Sequence, residues 1–162
     1  MEFHVGDKVV HWEFGPGEIV QLDQKEIAGS TIDYYVVQVA TLTIWVPRSN
    51  ASPIRLRFLT PVGDFQKLFE ILGGTPEALP IDRVERKAYL LEQMRAGTLK
   101  SICRVVRDLS YYKHLKKMND LDKSTLELAQ KLLLNEWHLV LSVPIWEAER
   151  DLKQILGEPI KH

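Results

Sequence analysis

The chain has 162 residues, 45% of them hydrophobic and 27% charged, and its formal net charge at pH 7 is −1. This composition is that of an ordinary globular protein of one or two small domains, and its apolar runs are too short for a transmembrane helix. Asp7 and Lys8 lie where a signal peptide would be apolar, and the single cysteine, Cys103, excludes a disulfide framework, so a cytoplasmic protein without a membrane partner is expected.

The first 60 residues predict short strands separated by turns. The strands are predicted at 7–11, 18–27, 31–39, 42–46 and 54–59. Turns are predicted at Gly15-Pro16-Gly17, at Ala28-Gly29-Ser30 and at Ala40-Thr41, and Pro47 is expected to end the fourth strand. Strands at this spacing, separated by turns, are typical of a small antiparallel SH3-like or Tudor-like barrel.

After Pro61 the hydrophobic period becomes helical. Helices are predicted from 65 to 72, from about 82 to 96, from 99 to 116, from 122 to 141 and from 142 to 156. Asp82 is the expected N-cap of the second helix, with Glu85 completing a capping box, and Ser142 is expected to open the last helix. The sequence therefore predicts an α+β fold: an SH3/Tudor-like β-barrel over residues 1–61, then a compact all-α domain over residues 62–162.

The chain lacks the residue patterns of common enzyme and metal sites. No two of its five histidines stand at a metal-ligand spacing, and no GxSxG, P-loop, GxGxxG or HExxH motif occurs. Cys103 lies between Ile102 and Val105 in a helical pattern, which favours a buried, inert thiol over a nucleophile. We therefore expect no catalysis, no cofactor and no metal.

The predicted strand at 42–46 has one face suited to binding a partner. Because alternate residues of a strand face opposite sides, Leu42, Ile44 and Val46 are expected to point into the barrel. Thr43 and Trp45 then point outward. An outward tryptophan near a barrel edge is a candidate protein-binding anchor, although it is equally able to pack against the helical domain.

Positive charge is concentrated in the middle of the chain. Residues 80–117 carry ten Lys/Arg against four Asp/Glu, whereas the stretches 1–63 and 118–162 are mildly acidic. Two rows at helical spacing are Arg83, Arg86 and Lys87, and Lys100, Arg104 and Arg107. Such rows suit a phosphate backbone, and a solvated helical face is the alternative. Arg107 and Asp108 are also expected to form a structural ion pair.

An ordered set of motifs resembles the N-terminal domain of the CarD/CdnL/TRCF family. The motifs are Phe3-x-Val5-Gly6-Asp7-Lys8-Val9-Val10-His11, Gly15-x-Gly17, Ile27-x-Gly29, Tyr34-Tyr35-Val36-Val37, Leu42-Thr43-Ile44-x-Val46-Pro47-x-x-Asn50, Ile54-Arg55 and Leu59. Gly97, the run from Val105 to Leu109, and Leu121 continue the likeness, which reaches about residue 141.

The resemblance implies a Tudor-like module that binds the β-subunit lobe of bacterial RNA polymerase by strand pairing. It also implies a helical domain that contacts the upstream edge of the transcription bubble and steadies the open promoter complex. The transcription-repair coupling factor carries a similar module, but it is an ATPase with a P-loop, which this sequence lacks. The resemblance implies no catalysis.

Individual positions depart from the family pattern. Lys25 stands where the family has a basic polymerase-contacting residue, and Trp45 stands where it often has arginine. Arg83 replaces the tryptophan that wedges into the minor groove in members that stabilise the open complex, and Glu85 replaces a basic residue beside it. The other tryptophans of the helical part, at positions 137 and 146, are expected in the core.

We therefore expect a monomeric transcription regulator, cytoplasmic and held at the nucleoid through polymerase. The expected polymerase-binding residues are Lys25, Thr43, Ile44, Trp45, Val46 and Arg48. The expected DNA-binding residues, which contact promoter DNA weakly and without sequence specificity, are Arg83, Arg86, Lys87, Lys100 and Arg104. The alternatives are a polymerase-binding adapter or competitor that does not manipulate DNA, and an interaction module for an unrelated partner.

Overall fold

The structure, a computed structural model, describes residues 2–50 and 56–158. The chain divides into two compact units, Met1–Leu59 and Thr60–His162. The first unit is an antiparallel β-sheet and the second is helical, which confirms the predicted α+β fold class.

Five antiparallel strands make the first unit, a small Tudor-like fold. They are β1 (Lys8–His11), β2 (Gly15–Ile27), β3 (Ser30–Val39), β4 (Leu42–Pro47) and β5 (Leu56–Phe58), with the spatial order β4-β3-β2-β1-β5. The first two residues of the predicted fifth strand, Ile54 and Arg55, lie outside the described residues. Val9, Val37, Val46 and Leu56 belong to the buried core of this unit, where Phe3 packs edge-on against Tyr35.

The turns of the sheet were only partly anticipated. The β2–β3 hairpin has the two-residue turn Ala28-Gly29, with φ of +50° and +80°, and Ala40 opens the next turn at +52°. Gly15 does not lie in a turn as predicted, because it already pairs with His11 in the sheet. The chain reverses at residues 12–14, where the imidazole Nδ1 of His11 accepts hydrogen bonds from two backbone N–H groups of the turn.

Five helices make the second unit, close to the predicted positions. They are α1 (Phe65–Leu72), α2 (Arg83–Ala96), α3 (Leu99–Leu115), α4 (Asp120–Leu141) and α5 (Ile145–Leu156). Asp82 caps α2 as expected, accepting a hydrogen bond from the N–H of Glu85. Gly97 ends α2 in the left-handed conformation that glycine adopts easily.

Two helix boundaries differ from the prediction. Helix α4 begins two residues earlier than expected, because Asn119 caps it and forms a reciprocal capping box with Asp122. Ser142 does not open α5; with a φ of +54° it ends α4, and Pro144 stands at the N-cap of α5. Serine is a favoured N-cap residue and is uncommon in the left-handed position that ends a helix, so the local sequence favoured the wrong role for Ser142.

Helix α3 lies at the centre of the helical core. Ten of its residues are buried, and three of these, Cys103, Val106 and Leu109, are buried completely. Trp137 is buried in the same core, 4.7 Å from the ring of Phe69, as predicted. The expectation for Trp146 was wrong, because its side chain is 62% exposed on α5. None of the described helices is long and apolar enough to cross a membrane.

Candidate functional site

Strand β4 is an edge of the sheet. In the described residues it pairs with β3 alone, in a register that runs from Val39↔Leu42 to Tyr34↔Pro47. The opposite backbone edge of β4 is therefore without a strand partner in this part of the chain. An edge of this kind can accept an extended segment of another protein by β-addition.

The side chains of β4 follow the predicted alternation with one exception. Val46 is buried, Ile44 packs against the same core, and Thr43 and Trp45 point outward. Leu42 was expected inside but is 49% exposed. It is the first residue of the strand, beside the hairpin turn, and pairs with Val39.

Trp45 lies in a group of four side chains that we call the Trp45 cluster: Asp23, Lys25, Tyr34 and Trp45. The Lys25 ammonium lies 4.5 Å from the centre of the Trp45 ring and 5.8 Å from that of Tyr34. The indole Nε1 donates a 3.2 Å hydrogen bond to the Asp23 carboxylate. Trp45 remains 42% exposed, so the cluster fixes the orientation of the indole without burying it.

The cluster unites two residues predicted for polymerase binding and adds two that sequence reasoning missed. Strand register explains the addition: Asp23 is opposite Tyr34, and Val36, two residues along from Tyr34, is opposite Trp45. All these side chains therefore share one face of the sheet. Knowledge of the strand register would have identified Asp23 and Tyr34, but the register could not be read from the sequence alone.

The remaining predicted residues of this region make local contacts. The Thr43 hydroxyl donates a 2.8 Å hydrogen bond to the side-chain oxygen of Gln38. The Arg48 guanidinium lies 5.3 Å from the ring centre of Tyr35 and 3.3 Å from the Glu2 carboxylate. Tyr35 is on the core face of the sheet, whereas the Trp45 cluster is on the other face, so Arg48 does not belong to the cluster.

Arg86 is not on the surface as predicted. Its side chain, with only 5% of the residue exposed, donates to Asp122 through Nε and Nη2, and its Nη1 donates to the carbonyl oxygens of Pro80 and Ile81. The hydrogen bond with Asp122 raises the pKa of Arg86, against the opposing effect of burial. The expectation that Arg86 faces DNA is therefore wrong, since its hydrogen-bonding capacity is used within the fold.

Four predicted DNA-binding residues are exposed: Arg83 and Lys87 on α2, and Lys100 and Arg104 on α3. Burial, and then the charge of Asp108, raise the pKa of Tyr89 on α2, and the charge of Arg104 lowers it. Arg104 therefore lies near Tyr89 of the neighbouring helix.

Not all the charge of residues 80–117 is free. Arg107 is buried and donates through Nε to Asp108 at 2.8 Å, which confirms the expected ion pair. Lys113 lies 3.0 Å from the carboxylate of Glu158. With Arg86 also paired, the potential available to a partner is weaker than the count of ten cations suggests.

The described residues contain no cluster of three or more His, Cys, Asp or Glu side chains that could hold a metal ion. Cys103 is fully buried, and burial, with a further contribution from Glu136, raises its thiol pKa to about 12. A thiol of this kind stays protonated at neutral pH, so it is inert, as predicted.

Two family models match the chain, one on each unit. The model described as "CarD-like/TRCF RID domain" matches residues 3–57, and the model described as "CarD, C-terminal domain" matches residues 67–153. A protein of Bacillus subtilis (strain 168) named "Putative transcription factor YdeB" is 25% identical over 145 residues, covering 87% of this chain and 94% of that protein. The likeness therefore extends across both units.

Proposed function

The chain belongs to the CarD family of transcription regulators, and from this premise we propose that it binds RNA polymerase and modulates the stability of the open promoter complex. The sheet unit binds the lobe of the polymerase β subunit, and the helical unit contacts upstream promoter DNA. The observation that carries the proposal is the edge strand β4 with the exposed, oriented Trp45 beside it.

The polymerase contact is β-addition reinforced by a side-chain anchor. A strand of the lobe pairs with the backbone edge of β4, which supplies affinity without demanding a particular sequence. Trp45 provides the anchor, because tryptophan is enriched among residues that dominate interface energetics. Its contacts with Lys25 and Asp23 hold the indole before binding, so less conformational entropy is lost on association.

The DNA contact is electrostatic. The exposed cations Arg83, Lys87, Lys100 and Arg104 neutralise phosphates and release counterions, so binding is sensitive to salt and carries no base information. Polymerase holds the helical unit near the promoter, and weak affinity for DNA is sufficient there. Arg83, in the position that the resemblance assigns to a wedge, enters the minor groove as a cation.

A second function is favoured by two observations on α2. Arg83 lacks the indole that unstacks bases, and the burial of Arg86 removes one cation from the surface. The alternative is a polymerase-binding adapter or competitor that leaves DNA unaltered. It shares the β4 contact and differs only in the effect on promoter opening.

The test is binding of the purified chain to bacterial RNA polymerase core and to the isolated β lobe. We expect micromolar or tighter binding to both, lost in Trp45→Ala and kept in Trp146→Ala, which removes an exposed tryptophan from the helical unit. Absence of binding to either preparation would overturn the polymerase assignment and favour an unrelated partner.

A separate measurement distinguishes the two functions. Open-complex lifetime on a promoter is measured with and without the chain, at concentrations that saturate polymerase. A changed lifetime supports the regulator that acts on DNA, and an unchanged lifetime with intact binding supports the adapter. In either case the chain is expected as a monomer, located in the cytoplasm at the nucleoid through polymerase.

A further inference from the structure

An open groove of about 290 Å³ lies in the helical unit, between the connection from α1 to α2 and the C-terminal half of α3. We call it the Ile81 groove; the lining residues used most below are Leu79, Ile81, Tyr111, Leu115 and Lys116. Its volume is close to the roughly 300 Å³ at which small-molecule sites begin, and well above the roughly 150 Å³ that holds a benzene molecule. The groove therefore has room for one large apolar side chain.

Three hydrophobic side chains of the groove are exposed to solvent. Ile81 is 80% exposed, Leu115 62% and Tyr111 48%, and Ile81 is the most exposed large apolar side chain in the described part of the chain. Single exposed apolar residues are common on protein surfaces, but several that line one groove mark a surface that another molecule covers. The walls of the Ile81 groove therefore indicate an interaction surface.

The fold holds the groove open before any partner binds. The backbone N–H of Glu77 donates a 3.0 Å hydrogen bond to the buried carboxylate of Asp108 on α3. The Arg86 guanidinium on α2 donates to the carbonyl oxygens of Pro80 and Ile81, at 3.2 and 3.0 Å. The backbone of one wall is therefore tied to both helices, so little conformational entropy is lost when the groove is filled.

Positive charge borders the groove. Lys116 lines it at the C-cap of α3 and Lys117 follows; both are exposed, and neither takes part in an ion pair among the described residues. The carboxylates that line the groove are that of Glu77, which is exposed, and that of Asp108, which is already engaged in an ion pair. Residues 80–117 as a whole carry ten Lys/Arg against four Asp/Glu, so an acidic partner is favoured over a basic one.

We propose that the Ile81 groove binds an acidic segment of another protein through one large apolar side chain. That side chain fills the space between Ile81 and Leu115, and the carboxylates beside it face Lys116 and Lys117. Duplex DNA would satisfy the two lysines but leave the apolar walls uncovered, because its bases are stacked within the double helix. Binding at this groove requires neither the polymerase contact nor the DNA contact proposed above.

The experiment titrates the ¹⁵N-labelled full chain with three capped hexapeptides and follows the amide signals of Ala78, Leu79 and Leu115, which line the groove. The probe is Asp-Glu-Leu-Trp-Glu-Asp; one control replaces Leu-Trp by Ser-Ser, and the other replaces the acidic residues by lysine. We expect saturable shifts with the probe at millimolar concentration or below, and about tenfold weaker binding of both controls. Absence of saturable shifts with the probe, or equal binding of either control, would overturn the proposal.

Duplex DNA is the competing occupant, and a short duplex of mixed sequence is titrated in the same way. We expect the signals of Leu79 and Leu115 to stay unchanged at duplex concentrations equal to those at which the probe saturates the groove. Larger shifts of these signals with the duplex than with the probe would assign the groove to DNA and refute the peptide site.

Leu115→Ser removes one apolar wall, with Leu139→Ser on α4 as the matched control. Both leucines are exposed, by 62% and 48%, so neither substitution should change resistance to urea much. Leu115→Ser is expected to weaken binding of the probe about tenfold. Leu139 does not line the groove, and its replacement should leave the affinity unchanged. Equal affinities of the two variants would contradict binding in the groove.

Lys116→Glu tests the charge, with Lys131→Glu, at an exposed lysine of α4, as the control. Reversal of the charge beside the groove is expected to weaken binding of the probe roughly fivefold and to reduce its sensitivity to salt. The same loss in the Lys131 variant would mean that the probe is attracted by the overall charge of the chain, and the site would be refuted.

Discussion

Arg86 on α2 donates two hydrogen bonds to Asp122 on α4, from Nε to Oδ1 at 3.0 Å and from Nη2 to Oδ2 at 3.1 Å. The same carboxylate accepts from the N–H of Asn119 and completes the capping box of α4. One buried ion pair therefore fixes both the placement of α2 and the first turn of α4.

Removing one partner of this pair should destabilise the chain strongly. Arg86→Ala leaves the Asp122 carboxylate buried without its cation, and we expect the free energy of unfolding to fall by about 3–5 kcal/mol. Urea denaturation followed by circular dichroism measures the change. The control is Arg83→Ala, one turn away and exposed, which should alter stability little. If the two variants were equally stable, Arg86 would not have the structural role assigned to it.

Lys25 should contribute to lobe binding by holding Trp45. Lys25→Ala removes the cation above both rings of the cluster, and we expect affinity for the β lobe to fall roughly fivefold. Calorimetric titration measures the affinity. Lys8→Ala is the control, because Lys8 is an exposed lysine of the same sheet that pairs with Glu18 instead. Equal effects of the two substitutions would indicate a general charge effect and no role for the cluster.

The salt dependence of DNA binding should identify the phosphate contacts. Replacing Arg83 and Lys87 together by alanine is expected to lower the slope of log K against log salt by about 2, with lobe binding unchanged. The matched control replaces Lys123 and Lys131, two exposed lysines of α4 outside the basic segment. An unchanged slope in the first variant would place the DNA contact elsewhere or favour the adapter.

Substitutions at Arg83 distinguish two cases. In one, the arginine takes over the role of the wedging tryptophan; in the other, the chain has lost that role. We expect Arg83→Ala to shorten the lifetime of the open complex, because the exposed guanidinium is then the group that enters the minor groove. Stopped-flow or filter-binding decay measures this lifetime. A lifetime that is insensitive to Arg83→Ala but greatly lengthened by Arg83→Trp would mean that this chain has lost the activating mode.

Cys103 should make stability depend on alkaline pH. Its thiol pKa is 9.0 without the protein environment and about 12 in the fold, so between these values the unfolded chain has lost a proton that the folded chain keeps. The free energy of unfolding therefore falls as pH rises above 9, by about 1 kcal/mol at pH 10 for this group alone. Cys103→Ala should lack this part of the decline, and parallel pH profiles for the two proteins would contradict the raised pKa.

Local patterns in the sequence predicted the strands and helices well, because hydrophobic period and capping residues act over a few positions. They could not predict how a helix face is oriented. Arg83, Arg86 and Lys87 share one helical row, yet only Arg86 is buried, and its partner Asp122 is 36 residues away along the chain. Where a side chain points depends on what the folded chain places beside it.

Prediction of the Trp45 cluster from the sequence was limited in the same way. The outward direction of Trp45 followed from strand alternation, whereas the contribution of Asp23 required the pairing of β2 with β3 and of β3 with β4. Trp146 was misplaced although the sequence carried the signal for its exposure, because helical spacing on α5 puts it on the face opposite the buried Ala148 and Leu152. The resemblance supplied the functional hypothesis, and the residue contacts came from the fold.

The hairpin turns have a consequence for how the sheet forms. Alanine stands in the left-handed region at Ala28 and Ala40, where asparagine or glycine is preferred. The two alanines therefore weaken the local bias of the chain toward these hairpins, and apolar contacts between distant segments, such as Phe3 with Tyr35, contribute more to the formation of the sheet. The barrier to folding of this unit therefore includes the cost of ordering both turns.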